Sequence, residues 1–96
     1  MQDKEFEWDD AKAAINFKKH KVGFETASRA FDDINAIHGD DLTSSWDEDR
    51  HFCTGLVDAI LITVVYAVRD DRIRIISAWR STRREVNDYY RGENTT

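Results

Sequence analysis

The chain has 96 residues, with 14 lysines and arginines against 19 aspartates and glutamates, one cysteine and no proline. That length predicts one domain over residues 1–96, and 41% hydrophobic with 11% aromatic residues excludes a disordered chain while allowing only a modest core. The lone Cys53 excludes an intramolecular disulfide, and the net charge of −5 argues against non-specific nucleic-acid affinity over the whole surface.

Phe6 to Trp8 alternates with acidic neighbours like a short edge strand. Asp9 is placed to cap a helix running to about His20, with Trp8, Ile15 and Phe17 as its apolar contributions. Val22-Gly23-Phe24 breaks that helix, and Ala27, Ala30 and Phe31 recur at helical spacing in a second, short one. A brief strand is expected over Ile34 to His38, followed by a polar, turn-prone stretch from Gly39 to Asp49. His51 to Val57, Ile60 to Val68 and Arg72 to Ala78 then read as consecutive strands. Their linkers, Asp58-Ala59 and Asp70-Asp71, enforce an antiparallel meander, because a parallel crossover needs about a dozen residues. A last helix from about Ser81 to Arg91 turns Val86 and Tyr89 or Tyr90 inward. Gly92 ends it, and residues 92–96 form a loose tail. The expected class is α+β. Cys53, in an apolar run, reads as buried. Ala59 to Val68, the longest apolar stretch, is too short to span a bilayer, and the N-terminus has no secretory apolar region. A cytoplasmic location with no membrane partner is therefore expected.

Charge is unevenly spread. Between Phe31 and Asp58 eight acidic residues are opposed by Arg50 alone, whereas between Arg72 and Arg91 six arginines are opposed only by Glu85 and Asp88. Alternation sends Arg72 and Arg74 to the strand face opposite Ile73 and Ile75. Arg50, on a neighbouring strand, could reach the same face, and Arg80 and Arg83 start the helix near its edge. Five guanidiniums on one face repel one another unless an anion compensates, and their forked donors match phosphate. Arginines stabilise developing charge but do not release protons near neutral pH, so RNA cleavage would need its base and acid from elsewhere. His20, beside Lys18, Lys19 and Lys21, is one candidate, unless it only contacts the carbonyls ending its helix. Glu85 among arginines is another, unless it forms a surface ion pair. His51 follows Arg50, so only one of the two can face a given site. His38 reads as structural. Trp46, Tyr89 and Tyr90 are candidate base-stacking surfaces, or core. The histidines have no i, i+4 pairing, the acidic loop lacks calcium-loop spacing, and no glycine-rich nucleotide motif occurs, so neither a metal nor a cofactor is expected.

The segments FEWDDAKAAINFKKHKVGFETASRAFDD, DRHFCTG and DRIRIISAWRSTRREVNDYY together resemble the BrnT family of bacterial type II toxins. The resemblance implies a fold similar to RelE-type ribonucleases, an RNA-cleaving activity that halts translation, and a co-expressed DNA-binding antitoxin, BrnA. It carries over onto the Lys19-His20 pair, Phe24, Glu25, Ala27, the Arg50 to Gly55 interval, Arg72, Arg74, Ser77, Ala78, Arg83, Arg84 and Glu85. Ser44, His51 and Trp79 depart from the family pattern. Two functions stay open. The first is a metal-independent endoribonuclease acting on mRNA by 2′-hydroxyl attack, with His20, Arg50, Arg74, Arg80, Arg83 and Glu85 catalytic and Lys19, His51, Arg72 and Arg84 binding RNA. A BrnA-like ribbon-helix-helix antitoxin would silence it in a two-toxin, two-antitoxin assembly and would supply all contact with DNA. The second is a catalytically impaired BrnT-like binding protein in an antitoxin and promoter complex.

Overall fold

The computed structural model describes residues 6–41 and 49–92; Ser44, Trp46 and the tail after Gly92 lie outside the described residues. In chain order the elements are β1 (Phe6–Glu7), α1 (Asp10–His20), α2 (Phe24–Ser28) with a 3-10 continuation (Arg29–Asp32), β2 (Ile37–Asp40), β3 (His51–Val57), β4 (Ile60–Arg69), β5 (Arg72–Arg80) and α3 (Arg83–Arg91). The strands form one sheet in the order β1-β5-β4-β3-β2. Strands β2 to β5 make an antiparallel meander, and β1 pairs parallel with β5, placing Phe6 beside Ile73 and Glu7 beside Arg74. The class is α+β, as the sequence indicates.

Local chemistry sets the element ends. Asp9 caps α1 by accepting from the N–H groups of Ala11 at 2.8 Å and Lys12 at 3.3 Å, and Lys21, in the left-handed region at φ 63°, closes it by donating to the Phe17 carbonyl at 2.8 Å. α3 starts at Arg83, two residues later than the sequence suggests, because Thr82 and Glu85 form a reciprocal capping box there. The hairpin between β3 and β4 turns on Asp58 (φ 49°) and Ala59 (φ 73°), and that between β4 and β5 on Asp70 (φ 54°) and Asp71 (φ 65°). Consecutive left-handed residues match the twist of the flanking strands. β2 begins at Ile37 rather than Ile34. Asp33 holds a turn through Asn35 and Ala36, at 2.9 Å and 3.0 Å, that delays the strand.

The core lies between the sheet and α1, α2 and the 3-10 turn. Val22, Phe24, Ala27 and Ala30 pack on Cys53, Val57, Ile62, Val64, Ile75 and Ala78. Burial, with the Asp33 charge, pushes the Cys53 thiol up to about 12, leaving it an apolar filler. Gly55 is required where β3 meets the 3-10 turn, since a Cβ there would collide with the Ala30 carbonyl.

Ile15 and Phe17, expected to anchor α1, are 66% and 54% exposed. The buried α1 residue is Asn16. Its amide donates to the Ala78 carbonyl at 2.9 Å and the Val22 carbonyl at 3.1 Å, and its oxygen accepts from Ala78 N–H and Ser77 Oγ, both at 3.2 Å. Where β1 has ended, one side chain does the work of a neighbouring strand, and a polar residue at that position satisfies backbone groups that no apolar residue could.

β5 carries one bulge. Thr63, Val65 and Ala67, on one face of β4, pair with Trp79, Ser77 and Arg74, and the register shifts between Val65 and Tyr66, leaving Ile76 as the extra residue. The parity of β5 therefore reverses. Arg74 and Trp79, five positions apart, share the sheet face away from α1, while Arg80 pairs with core residue Ile62 and belongs to the other face. Arg80, expected to start the helix near the edge of the face that holds Arg72 and Arg74, is instead the last residue of β5 and is turned from that face by the bulge.

Candidate active site

The open face of the sheet, partly flanked by α3, holds most of the chemistry. Glu85 sits at its corner. One carboxylate oxygen, Oε1, accepts from Trp79 Nε1 at 3.1 Å, Thr63 Oγ1 at 3.1 Å and Thr82 N–H at 2.8 Å. Thr63 spends its proton on Glu85, so its contacts to Thr54 Oγ1 at 2.9 Å and Ser81 Oγ at 2.8 Å are donated to it. A chain of hydroxyls beneath the sheet face thereby fixes the glutamate. Its second oxygen makes no hydrogen bond among the described residues. Glu85 is thus neither a partner of Arg84 nor loose on the helix surface. His20, the last residue of α1, also neighbours Trp79, with ring centres 6.0 Å apart. The two candidate proton carriers, 65 positions apart in sequence, thus both contact one indole. Arg83 and Arg84 lie in the first turn of α3 and Lys19 precedes His20.

From this corner a groove of about 560 Å³ extends over the sheet. Ile37, Phe52, Val65 and Trp79 supply its apolar lining, Thr54 and Thr63 its hydroxyls, and Asp40, Asp41, Arg84, Glu85 and Asp88 its charge. The groove's own charge is thus mainly negative, with Arg84 the one cation among its described lining residues.

The remaining arginines fall elsewhere. Arg74 Nη1 lies 3.4 Å from one oxygen of Glu7 and Arg72 Nη1 3.8 Å from the other. The five guanidiniums therefore do not converge. Arg72 and Arg74 form one group on β5, Arg83 begins α3, and Arg80 faces away. His51 turns to the helix side, bonded through Nδ1 to Asp40 at 3.0 Å and packed 5.5 Å from the Tyr66 ring. Its neighbour Arg50 is by alternation the one directed to the open face. His38 bonds Tyr66 at 3.2 Å and joins the same aromatic cluster, and partial burial lowers its pKa. Arg91 pairs with Asp88 at 3.0 Å. Tyr89 turns inward to Asp33, whereas Tyr90 is exposed. Sequence reasoning passed over Glu7 and the Thr54–Thr63 pair. The alternation of β1 beside β5 was a usable signal for Glu7; the threonine pairing depends on register and had none.

A sheet covered by α1 and α2 on one face, and bearing on the other the Glu85–Trp79 corner beside α3, an aromatic groove and the arginines paired with Glu7, defines a small α+β protein with one open sheet face. Residues 8–85 match the family described as the ribonuclease toxin, BrnT, of type II toxin-antitoxin systems, and the chain belongs to that family. It is a type II toxin of the ribonuclease kind, and such a toxin has an antitoxin as partner. No curated protein matches the chain. Among the described residues no helix is long and apolar enough to cross a membrane.

Proposed function

We propose that this protein is an endoribonuclease that cuts mRNA without a metal ion, by attack of a 2′-hydroxyl on the adjacent phosphate, and so arrests translation. The observation that carries this reading is that His20 and Glu85 both stand against Trp79, one beside its ring and one bonded to its Nε1. His20 takes the 2′-hydroxyl proton, the 2′ oxygen bonds to phosphorus, and the 5′ oxygen leaves with a proton from the acid partner, giving a 2′,3′-cyclic phosphate and a 5′-hydroxyl. Glu85 is that partner in its protonated form, or exchanges roles with His20. Arg83 and Arg84 offset the charge that builds on the phosphorane. The negative groove suits bases rather than phosphates. Trp79 and Phe52 offer stacking surfaces, and carboxylates accept from the amino groups of unpaired bases, leaving the backbone to the cationic rim. The fold similarity to RelE-type ribonucleases, the BrnA-like identity of the antitoxin, contact with DNA only through it, and a two-plus-two assembly belong to the same proposal.

The test is cleavage of a labelled single strand by pure protein in excess EDTA. Glu85→Gln keeps the hydrogen-bond acceptor of the capping box while removing the carboxylate. That variant and His20→Ala should each slow cleavage about a hundredfold or more, with cyclic phosphate ends on the residual product. Wild-type rates in both would remove this corner from the mechanism.

A further inference from the structure

We propose that Arg72 and Arg74, with Arg50 one strand beyond Ala67, form a phosphate subsite for the RNA strand, separate from the cleavage corner, and that Glu7 is its resident counter-charge in the free protein. The proposal rests on the corner being where cleavage occurs.

Three observations carry it. Glu7 spans both arginines with one carboxylate, yet at 3.4 Å and 3.8 Å neither contact reaches the roughly 2.8 Å of a well-made charge-assisted bond. A phosphodiester seated between the two guanidiniums could bond both at full strength. The carboxylate is also weakly held, because β1, which carries it, has only two residues. Thirdly, continuing the β3–β4 register one residue past His51–Tyr66 sets Arg50 opposite Ala67, which itself pairs with Arg74. One strand therefore lies between the two arginines, whose backbones stand two strand spacings, about 10 Å, apart. The Nε of Arg50 is buried without a hydrogen-bond partner, so the protein leaves that donor of its guanidinium unsatisfied.

The Ile76 bulge gives the subsite its use, because it brings Arg74 onto the face of Trp79. With β4 as ruler, Ala67 and Thr63 mark the two rows, four residues or about 14 Å apart. At about 3.4 Å per nucleotide of a stacked strand, that is about four nucleotides. A strand cut at the corner reaches Arg74 only if it extends that far, so the subsite acts on long substrates and not on short ones.

Glu7→Gln removes the competing charge and keeps the side chain's shape. Binding is read with a ten-nucleotide 2′-O-methyl strand, which cannot be cut, and cleavage with the ten-nucleotide RNA and a dinucleotide. Glu7→Gln should bind the ten-nucleotide strand about fivefold more tightly and lower its KM with kcat unchanged, whereas Arg74→Ala should weaken binding and abolish the Glu7→Gln gain. Dinucleotide cleavage should not respond to Glu7→Gln. Equal or weaker binding by Glu7→Gln at an unchanged unfolding midpoint, or the same effect on the dinucleotide, overturns the subsite. Absence of cleavage by the wild-type protein counts against the corner instead, while the binding comparison still decides the subsite.

Discussion

Asp33 ties together three stretches of chain that no local pattern connects. One of its oxygens accepts from Tyr89 OH at 2.6 Å and Leu56 N–H at 2.8 Å, and the other from Asn35 N–H at 2.9 Å. Burial alone would raise its carboxyl, but the bonds from Tyr89, Asn35 and Leu56 outweigh it and the net shift is downward from 3.8. Burial first, and then Asp33, push Tyr89 from 10.0 up to about 12. The signs set a window. A depressed carboxyl contributes stability that is complete above 3.8 and lost as pH falls through its folded value; a raised phenol contributes stability that is complete below 10.0 and lost as pH rises toward 12. Urea midpoints should therefore show the Asp33–Tyr89 contribution across neutral pH and lose it in both directions. Asp33→Asn should lower the neutral midpoint and flatten the acid limb. An acid limb as steep in Asp33→Asn as in the parent protein would assign that loss to other carboxylates. Nothing in the sequence marked Asp33, because its partners lie 23 and 56 positions away and only the fold brings them near.

At the scale of elements the sequence was most readable where geometry is forced. Two-residue linkers require hairpins, and β3, β4 and β5 lie within a residue or two of the expected runs. Parity was not readable, because one bulge residue, Ile76, changes the face of everything after it and leaves no compositional trace. The same holds for α1, whose exposed Ile15 and Phe17 were the natural apolar choice and whose anchor is an asparagine. The hairpins also carry strain. Ala59 and Asp71 occupy the second left-handed position of their turns at φ 73° and 65°, where a side chain costs about 1–2 kcal/mol relative to glycine. Ala59→Gly and Asp71→Gly should each raise stability by about 0.5–1 kcal/mol after the added freedom of glycine in the unfolded chain is subtracted. They stand at opposite ends of β4, so the double variant should show the sum within about 0.5 kcal/mol. Thermal and urea unfolding would check this, and a loss in either single variant would show the turn to be of another type.

Taken whole, the molecule presents an acidic chain with cations gathered in a few places, and this bounds how it can hold RNA. Arg72 and Arg74 share Glu7, Arg91 pairs with Asp88 within α3, and the charged residues lining the groove are mostly carboxylates. The surface cannot follow a phosphate backbone over a long path. About three phosphate contacts are available, at the corner and at Arg72 and Arg74, and a single strand releases roughly 0.7 counterion for each. The logarithm of the binding constant for a 2′-O-methyl strand should therefore fall with the logarithm of salt concentration with a slope of about −2. Arg74→Ala should reduce that slope by about 0.7, and Glu7→Gln should leave it unchanged or steepen it slightly. A titration between 50 and 300 mM salt is enough to measure it, the range lying where screening is substantial but not complete. A slope near −5 or steeper would mean that the strand tracks a continuous basic channel, and the division of the site into a base-holding groove with two separate phosphate-binding places would be wrong.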